Sequence, residues 1–152
     1  MEMVELNLPE YEYKVKKRDD GSWAIWDRLR DRWVALTPEE WVRQHFVEWL
    51  IAGKGYPAAL MGNEMSLTQN GIARRCDTVV GDRTGQPLVI VEYKAPSINI
   101  TQKTFDQIVR YNMVLHARYL MVSYGLSHYC CHIDYETGSY RFLEEIPCYH
   151  DL

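Results

Sequence analysis

The chain has 152 residues, of which 47% are hydrophobic and 25% charged, a composition that suits one domain with a real core and argues against disorder. A formal net charge of −4 argues against a generally basic coat for nucleic acid, although a cluster of carboxylates that binds cations would itself contribute such charge. The opening Met1-Glu2-Met3-Val4-Glu5 lacks the basic start and apolar core of a secretion signal, and no apolar run approaches the ~20 residues of a membrane span, so a cytoplasmic location without a membrane partner is expected.

In chain order, residues 11–36 read as an accessory β-meander. Tyr11 to Val15 is followed by a turn at Arg18 to Gly21, and the runs Trp23 to Trp26 and Trp33 to Leu36 flank a charged turn at Asp27 to Arg32. The aromatic residues here suit packing better than contact with bases. Thr37-Pro38-Glu39-Glu40 then opens a helix, with Thr37 as N-cap, Pro38 at the first helical position and Glu40 placed to complete a capping box. Val42, Phe46, Trp49 and Leu50 form its apolar stripe, and Gly53 and Gly55 end it. Glu39, three residues before Val42 and seven before Phe46, is expected on the core-facing side.

Residues 63–69, 73–80 and 87–94 read as strands, the last central because Leu88-Val89-Ile90-Val91 is continuously apolar. Pro96 stops this run. A helix follows from Thr101 to His116, with Phe105, Ile108, Val109, Asn112 and Leu115 near one side. Tyr119 to Tyr124 is a further buried strand, which right-handed crossover logic sets parallel to the 87–94 strand. Residues 128–135 and 139–143 close the chain as a hairpin around Glu136-Thr137-Gly138. The divisions are thus the meander at 1–36, a core at 37–125, and a C-terminal hairpin and tail at 126–152, all within one domain.

The chemistry concentrates in the second and third strands. If the loop between them is Arg83 to Gln86, Asp82 pairs with Pro87 and Asp77 lies opposite Glu92, so both carboxylates share one face. Lys94, two residues on, joins that face. Two acids and a lysine make a hard, oxygen-rich site suited to Mg²⁺ or Mn²⁺, whereas a solvated strand face or a structural salt bridge is the plainer reading of Glu-x-Lys alone. Charge at the end of a buried strand is costly unless paired or metal-bound. Gln107 and Tyr111, four apart on the second helix, are either an ordinary polar pair or part of a cleft lining.

The four cysteines (Cys76, Cys130, Cys131, Cys148) form no Cys-x-x-Cys pair, and adjacent Cys130 and Cys131 point to opposite strand faces, so reduced and mostly buried thiols are expected. The five histidines lack metal-motif spacing, and no phosphate-binding loop of the Gly-x-x-x-x-Gly-Lys-Ser/Thr type is present, so the chain carries no ATP motor.

Asp77, then Glu92-Tyr93-Lys94 fifteen residues on, resembles the core of PD-(D/E)XK nucleases, and Gln107 with Tyr111 matches the Gln-x-x-x-Tyr motif of one branch of them. Leu36 to Gln44 and Glu92-Tyr93-Lys94-Ala95-Pro96 look like the N-terminal nuclease domain of type I restriction enzyme R subunits. The ordered set covers roughly residues 30–125. The resemblance implies a restriction-endonuclease-like α/β fold, a mixed sheet flanked by helices, and Mg²⁺- or Mn²⁺-dependent DNA hydrolysis of the restriction type. It implies Asp77, Glu92 and the Tyr93 carbonyl as metal ligands, Lys94 at the attacking water, Glu39 as the helix acid (exchangeable with Glu40), and Gln107 and Tyr111 in the cleft. Arg74 and Arg75 would hold neighbouring phosphates, while Lys103 reads better as a solvated charge. DNA is the implied partner, with a separate motor or specificity subunit, and oligomeric state is left open. An inactive DNA- or protein-binding module of the same fold is the alternative, and a structural domain whose acids form salt bridges is a third reading.

Overall fold

Leu88, Val89, Ile90 and Val91 are all buried, and the strand that contains them organises the molecule. The computed structural model describes residues 2–152. Nine strands and two helices are present among the described residues: β1 (Val15–Lys17), β2 (Trp23–Asp27), β3 (Arg32–Ala35), α1 (Pro38–Lys54), β4 (Met61–Gln69), β5 (Ile72–Gly81), β6 (Pro87–Tyr93), α2 (Gln102–Met113), β7 (Tyr119–Ser123), β8 (His128–Asp134) and β9 (Ser139–Phe142). β1–β3 form a three-stranded antiparallel sheet, and β4–β9 form a six-stranded sheet in sequential order. Only β6 and β7 pair in parallel, because α2 carries the chain back across the sheet between them. This is the mixed α/β, restriction-endonuclease-like fold that the sequence implied.

The six-stranded sheet is covered on both faces. Val42, Phe46 and Leu50 of α1 pack with Val89, Val91 and Met121, whereas Phe105, Ile108 and Val109 of α2 pack with Val79, Ile90 and Leu120. Alternation along β6 therefore divides one apolar run between two cores, and it sends Glu92 to the side of Ile90. Cys130 joins the first core and Cys131 the second, as expected for neighbours on a strand, and all four cysteines are free. Outside α1 lies the meander, whose Ile25 and Val34 pack against Trp41.

Several expectations need correction. Tyr11 to Tyr13 are not paired in a strand; the rings of Tyr11 and Tyr13 lie edge-on to His45 and Trp41 at 4.8 and 4.9 Å, so the aromatic flank of α1 holds this segment, and bonding to β2 begins at the Lys14 carbonyl, which accepts the Trp26 N–H at 2.9 Å. The β5–β6 register is as expected at Thr78↔Val91, Val79↔Ile90 and Val80↔Val89, but it shifts at the next pair, where Gly81 and not Asp82 meets Pro87. The Asp82 side chain instead accepts the N–H groups of Thr84 and Gln86 and draws the loop into a tighter turn. Gly53 stays inside α1, and the helix ends at Gly55 (φ 72°), whose N–H reaches the Leu50 carbonyl.

Glu39 and Glu40 are the largest correction. Thr37 caps the helix through the Glu40 N–H at 3.0 Å, as expected, but the Glu40 side chain does not turn back to complete a capping box. Glu39 is exposed and Glu40 is buried. Its carboxylate accepts from Arg30 (2.6 Å), Arg43 (2.8 and 3.0 Å) and Gln44 (2.9 Å). The expectation assumed a helix with one buried stripe, but α1 is buried on both sides, against the sheet and against the meander, so Glu40 faces the seam between them.

Burial alone would raise the Glu40 carboxyl pKa, but the hydrogen bonds and charge of Arg43, with Gln44 and Arg30, outweigh it and hold the group below the usual carboxylate range. A depressed folded-state pKa gives stability that is present above the unfolded value of about 4.3 and lost as pH falls through the folded one. Glu40→Gln should therefore lower the unfolding free energy at neutral pH by about 3 kcal/mol. Denaturant titrations across the acid range should also show the variant losing less stability than the parent as pH falls.

Candidate active site

Asp77 lies on β5, Glu92 on β6, and Lys94 one residue beyond β6, where its N–H still bonds the Ser123 carbonyl of β7 at 2.9 Å. The last assigned β5–β6 pair is Thr78↔Val91, and the same register carried one residue further sets Asp77 opposite Glu92. There the ladder changes character: Asp77 Oδ2, a side-chain atom, accepts the Tyr93 N–H at 2.9 Å. Lys94 Nζ is 3.5 Å from Glu92 Oε1. The structure thus brings Asp77, Glu92 and Lys94 together at the end of the buried strand.

The electrostatics favour a cation here. Burial raises the pKa of the Asp77 carboxyl, and the Tyr93 N–H, Arg43 and Lys94 do not fully offset it. Burial and then the neighbouring Asp77 charge raise that of Glu92, against Lys94 and Asn112. Burial and neighbouring acids, Glu64 for Asp77 and Asp77 for Glu92, leave these two half-buried carboxylates as under-compensated negative charge. Their hard oxygen donors, with the backbone carbonyl of Tyr93 next to Glu92 in sequence, are of the type that suits Mg²⁺ or Mn²⁺. Among the described residues, the one group of three potential ligand side chains converging within 4.8 Å lies elsewhere, at Cys148, His150 and Asp151 in the C-terminal turn.

Three residues at the site escaped sequence reasoning. Arg43 of α1 is buried and donates to the Asp77 carbonyl and to Glu64 Oε1, each at 2.8 Å, besides its bonds to Glu40. Glu64 of β4 adopts φ 55°, a left-handed conformation unusual outside glycine, and its second oxygen accepts from Arg75 at 2.6 Å. Asn112 donates to Glu92 Oε2 at 3.3 Å and to the Ile108 carbonyl at 2.9 Å. The spacing Glu40-x-x-Arg43-Gln44 was a legible helix-face signal for Arg43; for Glu64 and Asn112 no residue-type signal existed.

The remaining expected residues sit further out. Glu39 is exposed at the start of α1, and Glu40, already held by Arg30, Arg43 and Gln44, is the acid that faces inward. Gln107 is exposed on α2. Tyr111 is exposed too, with the Arg74 guanidinium 4.4 Å from its ring centre and Arg74 Nε donating to its carbonyl. α2 thus touches the acids through Asn112, and Tyr111 lies at the rim.

A second polar chain runs behind the site. Asp27, fully buried, accepts from Arg30 and from Asn63 Nδ2 at 3.0 and 3.2 Å; Asn63 Oδ1 accepts from Thr78 at 2.6 Å; and Thr78 Oγ1 accepts from the Tyr93 hydroxyl at 2.9 Å. Burial pushes the Tyr93 hydroxyl pKa well up, so it stays a neutral donor.

A mixed sheet with paired strand acids, a neighbouring lysine and a helix on each face defines a restriction-endonuclease-like domain. The chain belongs to the family described as Type I restriction enzyme R protein N terminus (HSDR_N), whose model matches residues 38–147. Among solved structures, it is similar to a fragment assigned as the HsdR subunit of a type I restriction enzyme from Vibrio vulnificus YJ016, with TM-score 0.50 and 21% identity. That likeness covers 74% of this chain and 24% of the other, so the chain spans about a quarter of that relative's length. No curated protein matches. No helix among the described residues is long and apolar enough to cross a membrane.

Arg43→Lys should cost about 2–3 kcal/mol in a denaturant titration, because one ammonium cannot span Glu40, Glu64 and the Asp77 carbonyl as a planar guanidinium does. An unchanged midpoint would mean that these contacts contribute nothing to holding α1 against β5.

Proposed function

We propose that the chain is a divalent-metal-dependent DNA phosphodiesterase of the restriction type. The observation that carries this reading is the pairing of Asp77 and Glu92 on neighbouring strands, with the Asp77 charge raising the cost of ionising Glu92 and Lys94 Nζ 3.5 Å from Glu92 Oε1. Asp77, Glu92 and the Tyr93 carbonyl would hold Mg²⁺ or Mn²⁺. Such an ion lowers the pKa of water and offsets charge on a phosphate under attack. Asn112 fixes one oxygen of Glu92, and the Tyr93 N–H fixes one oxygen of Asp77, so each carboxylate keeps a defined orientation with lone pairs free. Lys94 orients the attacking water or stabilises the developing oxyanion. Arg74 and Arg75, beside the site on β5, suit neighbouring phosphates. Glu40 is better read as the anchor of Arg43 than as a ligand, and Glu39 as a surface acid. A motor or specificity subunit, of the kind the type I family implies, is the expected partner.

The ion pair between Lys94 and Glu92 is the feature that favours a second reading, an inactive binding module whose lysine is structural. Calorimetric titration with Mn²⁺, paired with plasmid digestion, separates the two. Asp77→Ala should lose both metal binding and cleavage, whereas Lys94→Ala should lose cleavage and keep most of the metal affinity. Equal loss of Mn²⁺ affinity in both variants, or no cleavage by the parent in either metal, sinks the enzymatic reading.

Gln107→Ala and Tyr111→Phe should lower the cleavage rate with little change in melting temperature, because both side chains are exposed. Full activity in Gln107→Ala across a Mg²⁺ series would remove this pair from the site.

A further inference from the structure

β4 and β5 continue together well past β6. Five pairs, from Met65↔Cys76 to Gln69↔Ile72, lie beyond the last β5–β6 pairs. At ~3.4 Å per residue this two-stranded arm is about 15 Å long. It closes through Asn70 (φ 51°) and Gly71 (φ 76°), the two left-handed residues of a tight hairpin turn. Ser66, Thr68, Gln69, Ile72, Ala73 and Arg75 along it are exposed.

The arm is aimed. Glu64, left-handed at its base, is held from one side by Arg43 at 2.8 Å and from the other by the arm's own Arg75 at 2.6 Å. Arg74 rests on Tyr111 of α2. These contacts fix the arm relative to Asp77, which lies on the same strand as Arg74 and Arg75.

Its chemistry differs from that of the whole chain. Residues 65–76 contain two arginines and no acid, in a protein of net charge −4. They contain no aromatic residue either, only hydroxyl, amide, aliphatic, thioether, thiol and guanidinium side chains besides Gly71. Grips for single strands stack bases on aromatic rings, which this arm lacks. The duplex major groove, about 12 Å wide and about 8.5 Å deep, admits a two-stranded ribbon, and hydroxyl and amide groups bond there to phosphates and base edges.

We infer that the β4–β5 arm is a duplex-DNA grip that enters a groove and so presents a phosphodiester to Asp77, Glu92 and Lys94. This rests on the nuclease reading above, and the experiment separates the two. Binding of a short fluorescent duplex is measured by anisotropy in Ca²⁺ for the parent, Thr68→Glu, Gln69→Glu and Thr68→Lys, alongside Mn²⁺ affinity and melting temperature. Each glutamate should weaken duplex binding by about tenfold through repulsion of phosphate, and the lysine should tighten it. Mn²⁺ affinity and melting temperature should stay at the parent's values. Unchanged duplex affinity in all three variants overturns the arm's role while leaving the metal site standing. Tighter binding of a single strand than of the duplex of the same sequence also overturns it. A parent that binds neither Mn²⁺ nor DNA overturns both readings.

Discussion

The guanidinium of Arg43 ties the molecule together. It is buried, and it bonds both oxygens of Glu40, one of Glu64 and the backbone carbonyl of Asp77. An ion taken out of water is stabilised only when nearly every donor finds a good acceptor, and a planar fork with fixed directions dictates where those acceptors stand. One side chain thereby sets α1 against β4 and β5 at the level of Asp77. Arg30 brings the meander into the same arrangement, since it bonds both Asp27 and Glu40. Buried polar groups that are fully matched specify one packing, because any other leaves a charge alone in a poorly polarisable surrounding.

The catalytic reading draws on that rigidity. Asp77 and Glu92 stand at the point where β5 and β6 stop exchanging backbone hydrogen bonds and a carboxylate takes over as acceptor. A ladder that continued would fill the space with main chain, and one that ended sooner would leave the acids on loops. Their oxygens are positioned by regular structure while still facing outward.

Much of this was legible in the sequence, for a simple physical reason. Apolar runs of period two and a break rich in glycine and aspartate gave the β5–β6 hairpin and its register, and the helix between two buried runs gave the parallel β6–β7 pair. What failed were inferences that needed a second neighbour. Choosing Glu39 over Glu40 required knowing that α1 is covered twice, and its apolar spacing showed only one of the two contacts. The shift at Gly81 came from a side chain, Asp82, competing with the ladder for N–H groups. Glu64, left-handed on β4, is met in space by two arginines, one of them 21 residues earlier in the chain, a pairing no local pattern signals. Spacing set Asn112 on the same side of its helix as Phe105, Ile108 and Val109, but spacing alone does not say that the group it meets there is Glu92.

The meander has a consequence for where this unit begins. The stretch that carries the family likeness starts at Pro38, yet Ile25, Val34 and Asp27 are buried and lie before it. Ile25 and Val34 cover the apolar Trp41 of α1, and Arg30 of the same segment pairs with the buried carboxylate of Glu40. Recognition and foldability thus have different borders in this protein. An excision at the recognised border would keep every proposed catalytic group and remove the wall that keeps the helix behind them dry.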